Sequence, residues 1–167
     1  MDDTLEIVWT TQITTQEDRT RLIIPEEGED DLLGTHGTPE LRFVQQLSFT
    51  MGDWRLLYTG RYIDDTFLFT RNPNGSCFAE NASASTRVLG GPNVYIDCTA
   101  ESSYYSDLAL TWTPDDSFSA TFGISNVTDE QPARVQAGLG NDRGGRMTGA
   151  GYDQVGQSVF LAASFKF

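Results

Sequence analysis

Few residues in this sequence can do acid–base or nucleophilic chemistry. It has one histidine, His36, inside "GTHGTP". No histidine-based catalytic set can be assembled, and a zinc site lacks its four ligands. No Gly-x-Ser-x-Gly nucleophile turn occurs. "GLGNDRGG", residues 138–145, is glycine-rich but does not lie between a strand and a helix, so it is not a dinucleotide cradle. Asp64 and Asp65 form an acidic pair at a strand end, read as a solvated rim rather than a metal site. The expectation is a protein that is not an enzyme, with no cofactor and no metal site. Arginines in polar stretches remain as binding groups: Arg134, Arg143 and Arg146 in one, Arg71 and Arg87 in another. A guanidinium matches the oxygens of carboxylate or phosphate, and loops carry many ligand contacts. The plainer reading is that these arginines only balance surplus acid.

That surplus is large: 24 Asp and Glu stand against 11 Lys and Arg, a net charge of -13. Nucleic acid is excluded as a partner, because phosphate binding needs a basic surface. Much of the acid sits in "QEDRTRLIIPEEGEDDLL", which reads as a solvated loop. Cys77 and Cys98 lie in a polar Gly/Ser/Asn-rich stretch. An even pair there suggests a disulfide, whose closure would contribute about 3 kcal/mol; two free thiols stay open.

The elements that must carry these groups are strands. Six stretches alternate with period two: residues 4–14, 41–50, 54–64, 104–112, 117–125 and 152–167. No segment keeps a helical period. "MGD" joins the second and third tightly, and "TPDD" joins the fourth and fifth, with Pro114, Asp115 and Asp116 supplying turn chemistry. The other connections are long, near residues 17–40, 68–103 and 127–151. In the fourth and fifth stretches one face is apolar and the other small and polar. Tyr104 and Trp112 stand eight residues apart, about 26 Å along a strand. No run of about 18 apolar residues marks a spanning helix, and no N-terminal signal segment is apparent. Alternating strand pattern begins almost at once, as though an earlier part were missing.

Short turns at one end, long loops at the other and a two-sided strand pattern suit an outer-membrane barrel. At this level the residues resemble a family. "FGISNVTDEQP" resembles a strand followed by Asn-x-x-Asp-x-x-Pro, here Asn126, Asp129 and Pro132. "YDQVGQSVFLAASFKF" resembles the closing strand of that family, beginning at Tyr152, Asp153 and Gly156 and ending in Phe167. "GTPELRFVQQLSFTMGDWRLLYTGRYID" resembles an earlier hairpin with Gly-Asp-Trp at its turn. The family is the TonB-dependent outer-membrane receptors, and the likeness runs from about Gly37 onward. Gln157 departs from it, standing where the family usually has Arg, which weakens a charge-pairing role there.

The resemblance implies an all-β fold: an antiparallel meander of about six strands, residues 1–167, forming the C-terminal part of a 22-stranded transmembrane β-barrel. The plug domain and earlier strands would lie outside this chain, making it a fragment. It implies a location in the bacterial outer membrane of a Gram-negative cell and active uptake of a scarce ligand of the iron-siderophore, vitamin B12 or saccharide class. Further partners would be the TonB-ExbB-ExbD energy-coupling system, the barrel-assembly machinery and outer-membrane lipid. Arg134, Arg143 and Arg146 would then lie in an outer loop, facing ligand or lipopolysaccharide phosphate. Phe165 and Phe167 would belong to the assembly signal. Tyr104 and Tyr105 would line a sugar site or, more simply, an aromatic girdle.

Two other classes remain at this stage. One is a small stand-alone outer-membrane barrel or porin subunit. The other is a secreted soluble β-sandwich binding module, for which the Asn-x-Ser/Thr triplets at Asn74, Asn81 and Asn126 would be glycosylation sites.

Overall fold

The computed structural model describes residues 4–22, 29–67, 99–135 and 145–166. They form ten strands, with no helix among them: β1 (Glu6–Thr15), β2 (Thr20–Leu22), β3 (Glu29–Asp31), β4 (Leu41–Met51), β5 (Trp54–Ile63), β6 (Thr66–Phe67), β7 (Thr99–Ala100), β8 (Ser103–Asp115), β9 (Phe118–Ser125) and β10 (Ser158–Phe165). Six of them make one sheet in the order β1-β4-β5-β8-β9-β10, and every neighbouring pair is antiparallel. This is the expected meander of six long strands. Two two-stranded ladders, β2-β3 and β6-β7, accompany it.

Register converts the alternation into continuous rows, because directly opposed residues share a face. One row runs Ile7, Phe49, Leu56, Leu110, Phe122, Leu161, and the next Trp9, Leu47, Tyr58, Leu108, Ile124, Val159. At the tight-turn end Trp54 stacks on Trp112 with centroids 5.8 Å apart. Phe118 meets Trp112 edge-on at 5.9 Å and Phe165 at 5.0 Å. Toward the loop end Phe43 stacks on Tyr62 at 5.0 Å, and Tyr104 lies opposite Tyr62. Two aromatic rows therefore bound an apolar band. Nothing covers the band among the described residues: Leu161 is 78% exposed, Trp9 71% and Phe122 48%.

The opposite face carries Glu6, Ser48, Arg55, Thr59, Arg61, Asp107 and Thr121. Arg55 Nε donates to Ser48 Oγ at 3.0 Å. An Arg61 guanidinium nitrogen lies 3.7 Å from Asp107 Oδ2, and the same group sits 5.4 Å over the Tyr105 ring. Charged groups confined to one face keep near neighbours of opposite sign or hydrogen-bonding character, which lowers the cost of removing them from bulk water.

Gly60 is required by a close approach on the apolar face. Tyr58 and Tyr104 hydroxyls share a hydrogen bond of 2.5 Å, and Gln45 Nε2 donates to Tyr104 Oη at 2.7 Å. A Cβ at Gly60 would stand 2.2 Å from Tyr104 Oη. Gly60→Ala is expected to destabilise by about 1–3 kcal/mol, since overpacking must displace a bonded hydroxyl. Adding Tyr104→Phe should recover most of that loss in a denaturation experiment. A double mutant as unstable as the sum of both singles would show that the clash lies elsewhere.

Four sequence readings are corrected. The sixth stretch is a strand only from Ser158, because residues 152–157 are held in turns by the loops described below. "TPDD" is not the turn itself. Pro114 and Asp115 belong to β8, past a register shift between Trp112 and Asp115, and the chain reverses at Asp116–Ser117. Asp115 Oδ1 accepts from the Ser117 N–H and hydroxyl (2.8 and 2.5 Å), so the aspartate chemistry acts one residue further on. The acidic stretch is not wholly loop: Thr20, Arg21 and Leu22 pair with Asp31, Asp30 and Glu29. Tyr104 and Tyr105 cannot line one site, because adjacent strand residues face opposite ways. Tyr104 joins the apolar-face tyrosines, whereas Tyr105 is fully buried on the other face.

Candidate functional site

All the long connections leave the sheet at the end opposite the two tight turns. The first joint follows β9. Asn126 has left-handed backbone (φ 53°), which asparagine tolerates better than most residues. It is completely buried. Its Nδ2 donates to the Glu130 carbonyl at 2.9 Å, its Oδ1 accepts the Glu130 N–H at 2.8 Å, and its own N–H donates to Asp107 Oδ1 at 2.8 Å. The side chain thus closes residues 126–130, and the backbone N–H ties the turn to β8. A side chain so placed is not open to glycosylation, so the Asn126 triplet offers no support for a glycosylated secreted module. Asn74 and Asn81 lie outside the described residues.

Asp129 makes the second joint. Its Oδ1 accepts the Gln157 N–H at 2.9 Å and Gln131 Nε2 at 3.1 Å. Gly156 passes beside it with φ 79°, and a Cβ there would approach Asp129 Oδ1 to 2.8 Å. Asp153 Oδ1 holds the Val155 N–H at 2.9 Å. The sequence landmarks around Asn126 and Tyr152 therefore form one clasp that aims β10 against β9. Gln157 has a positive role in it: Nε2 donates to the Val127 carbonyl at 2.7 Å. A neutral amide thus bridges to backbone at the position singled out for lacking Arg.

The loops also build the apolar core among the described residues: Ile63 and Tyr105 from the sheet, Ala100 from β7, and Ala133, Val135, Met147 and Tyr152 from the last connection. Val135 N–H donates to the Gly145 carbonyl, and Met147 N–H to that of Ala133, each at 3.0 Å. Alternation sends Ala133, Val135 and Met147 inward and sets Arg134 opposite Arg146. Two of the three candidate arginines are thereby brought together, and Arg146 donates to Gln131 Oε1. Arg134 is exposed and lines an open groove of about 480 Å³ with Glu101, Ser103, Asp129 and Glu130. Arg143, Arg71, Arg87, Cys77, Cys98 and Phe167 lie outside the described residues.

No family model, curated protein or solved structure matches the chain.

His36, read from sequence as an ordinary loop residue, joins three loop segments. Its N–H donates to the Phe67 carbonyl at 2.8 Å, and its ring stacks on Tyr152 at 6.4 Å. Its Nδ1 is buried with no partner among the described residues. Burial lowers the His36 pKa below the ordinary imidazole value and the Arg42 guanidinium adds to this, against a hydrogen bond to the Thr148 backbone. Burial likewise raises the Tyr152 pKa. Sequence offered no signal for His36 beyond its being the sole histidine, because its partners come from distant segments.

The sign of the resulting pH effect follows from linkage. A pKa lowered in the packed state means the opened loops bind the proton more readily. The loop contact is therefore at full strength above the ordinary imidazole value of 6.5 and weakens as pH falls below it. Exchange of the His36 amide, corrected for intrinsic pH dependence, is expected to accelerate on acidification through that range. His36→Phe, which keeps a stacking ring without a titrating nitrogen, should flatten the dependence at Phe67 and Tyr152. An unchanged acid limb in the variant would assign the effect to another group.

Proposed function

We propose that this chain is part of the wall of a transmembrane β-barrel, of the 22-stranded TonB-dependent outer-membrane receptor class, in the outer membrane of a Gram-negative cell. The reading rests on one observation above all. The apolar face of the sheet is uncovered among the described residues and is bounded by register-matched aromatic rows, while every long connection leaves and re-enters the sheet beyond one of them. Five inter-strand gaps of about 4.8 Å and eight residues of about 3.3 Å give a face of roughly 600 Å². That is at the upper limit of the apolar patches seen on soluble monomers. Lipid is the solvent that such a band fits, with the polar face turned to a lumen. The loop end then faces outward. It contributes to capturing a scarce ligand of the iron-siderophore, vitamin B12 or saccharide class, whose uptake the TonB-ExbB-ExbD system would energise.

The two edges of the open sheet support the same reading. Among the described residues, β1 and β10 each have one hydrogen-bonded neighbour. Unpaired strand edges are not tolerated in hydrocarbon and invite aggregation in water. Further strands pairing with both would satisfy them, and insertion through the barrel-assembly machinery would bring those strands together.

Accessibility tests the placement. In a Gram-negative host carrying the full reading frame, with Cys77 and Cys98 replaced by Ser, single cysteines are introduced at Leu56, Leu110 and Thr128. A membrane-impermeant maleimide should label Thr128→Cys on intact cells and leave Leu56→Cys and Leu110→Cys unlabelled. Equal labelling of all three would defeat the proposal.

A further inference from the structure

Two arginines on the polar face are poorly matched by their surroundings. Register sets Arg61 opposite Val44 on one side and Tyr105 on the other, and sets Arg42 opposite Ile63. Arg42 and Arg61 are therefore diagonal neighbours on one face, about 7 Å apart at the strand surface and within reach of each other as long side chains. Like charges so placed repel. Each has a buried Nε with no hydrogen-bond partner among the described residues. Arg42 Nη2 donates to the Gly37 carbonyl only at 3.4 Å. The Arg61 guanidinium lies 3.7 Å from Asp107 Oδ2, longer than a hydrogen bond. The other oxygen of that carboxylate already holds the Asn126 N–H. Arg55, on the same face toward the turn end, is better met, with Nε donating to Ser48 at 3.0 Å.

Both side chains are nonetheless held in place. Their stems are packed as far as Nε, while Arg61 keeps 37% of its side chain exposed. Its guanidinium stands 5.4 Å over the ring of Tyr105, which is fully buried. Arg42 is half-buried. Its charge acts on His36 and Tyr152, so its head lies toward the loop core. The two heads thus have different neighbours, and one small anion does not serve both. A ligand with two separated acidic groups does, and each guanidinium fork fits carboxylate or phosphate oxygens. Heads fixed beforehand also lower the ordering cost of binding.

We propose that Arg42 and Arg61 form a binding site, on the polar face at the loop end, for a small ligand carrying two or more carboxylate or phosphate groups. One acidic group lies on each guanidinium, and the one on Arg61 displaces the long contact to Asp107. The acid excess of the chain repels anions from the rest of the surface, which confines binding to this pair. Neither residue belongs to the polar stretches that hold the other candidate arginines, because only register brings the two together. The site gives a chemical class to the ligand of the proposed uptake, and it rests on that reading only for the polar face being a lumen.

The test uses the purified protein in detergent with tricarballylate, a tricarboxylate, followed by calorimetry and by the imidazole resonances of the single histidine. Saturable binding is expected, with acetate weaker by about tenfold or more. Arg42→Gln and Arg61→Gln should each weaken tricarballylate by about tenfold, as for loss of one charge-assisted contact. Arg42→Lys and Arg61→Lys should weaken it less, since the charge stays and only the fork is lost. Arg55→Gln and Arg134→Gln should leave it unchanged. The Arg42 charge lowers the His36 pKa, so an anion on Arg42 should raise it. That rise should persist in saturated Arg61→Gln and shrink in Arg42→Gln. Absence of saturable binding up to about 20 mM, acetate binding as tightly as tricarballylate, or undiminished binding in the doubly substituted Arg42→Gln, Arg61→Gln protein would overturn the proposal. The Thr128→Cys labelling of intact cells reads the outward orientation separately, so either idea can fail without the other.

Discussion

Leu110→Arg is expected to destabilise the protein by about 2–4 kcal/mol if the apolar face meets lipid as proposed, the cost of an arginine on a lipid face near mid-bilayer. Leu110 pairs with Leu56 on one side and Phe122 on the other, in the middle of the band between the aromatic rows. Its neighbour Thr111 faces the other way, where its hydroxyl meets that of Thr121 at 3.0 Å. Thr111→Arg is expected to cost well under 1 kcal/mol, as for an ordinary polar-face change. The comparison separates lipid from water as the surroundings of the apolar face. Leu110 is 39% exposed, and in water an arginine there would be near neutral. Urea unfolding of the protein in lipid vesicles reads the difference directly. If both arginines cost the same, the apolar band does not face hydrocarbon.

Asn126→Ala should produce the largest local effect in the loops. It leaves the Glu130 N–H and carbonyl without their buried partners, at about 1–3 kcal/mol for each unsatisfied group. It also places alanine in left-handed backbone, at about 1 kcal/mol. A net loss of about 3 kcal/mol is expected, equivalent to a more than hundredfold faster opening. Amide exchange at Glu130 and Gln157 is the appropriate readout, since both amides belong to the same clasp. Asn126→Gly keeps the backbone but not the bonds, so it should lose less than Ala by the strain alone. Asn126→Asp keeps the acceptor for the Glu130 N–H but sets a buried carboxylate oxygen against the Glu130 carbonyl, and should lose more than Gly. Protection at Gln157 that is indifferent to all three changes would dissociate the two joints.

The consequences would differ in reach. A charge at position 110 acts through the solvent of the whole sheet, so the entire chain would report it. Loss of Asn126 acts on the entry to β10 and on the groove wall at Glu130, leaving the β4-β5 hairpin untouched. That hairpin turns on Gly52 with φ 54°, at the end of the sheet opposite the loops.

Alternation was readable because it is local: the pleat puts residues i and i+2 on one face whatever pairs with them. Leu56 and Tyr58 on one face, with Arg55 and Leu57 on the other, needed no knowledge of β4 or β8. The short joins at Gly52–Asp53 and near Asp116 were likewise visible from turn chemistry, to within a residue or two. Tyr152–Gln157 misled because Tyr152, Gln154 and Gly156 also alternate, while the forces that bend this segment come from Asp129 and Gly149. His36 and Tyr152 are far apart in sequence, and nothing near either predicts their stacking.

By itself the sequence determined six two-faced strands, their tight and long connections, the acid excess and the single histidine. All of these are properties of composition or of neighbours within a few residues. Only the tertiary structure decided which apolar residues share a row, that Asn126 and Gly156 belong to one clasp, and that Arg134 stands among carboxylates. Those facts depend on which segments the register brings side by side, and long-range pairing leaves no periodic trace in either partner alone.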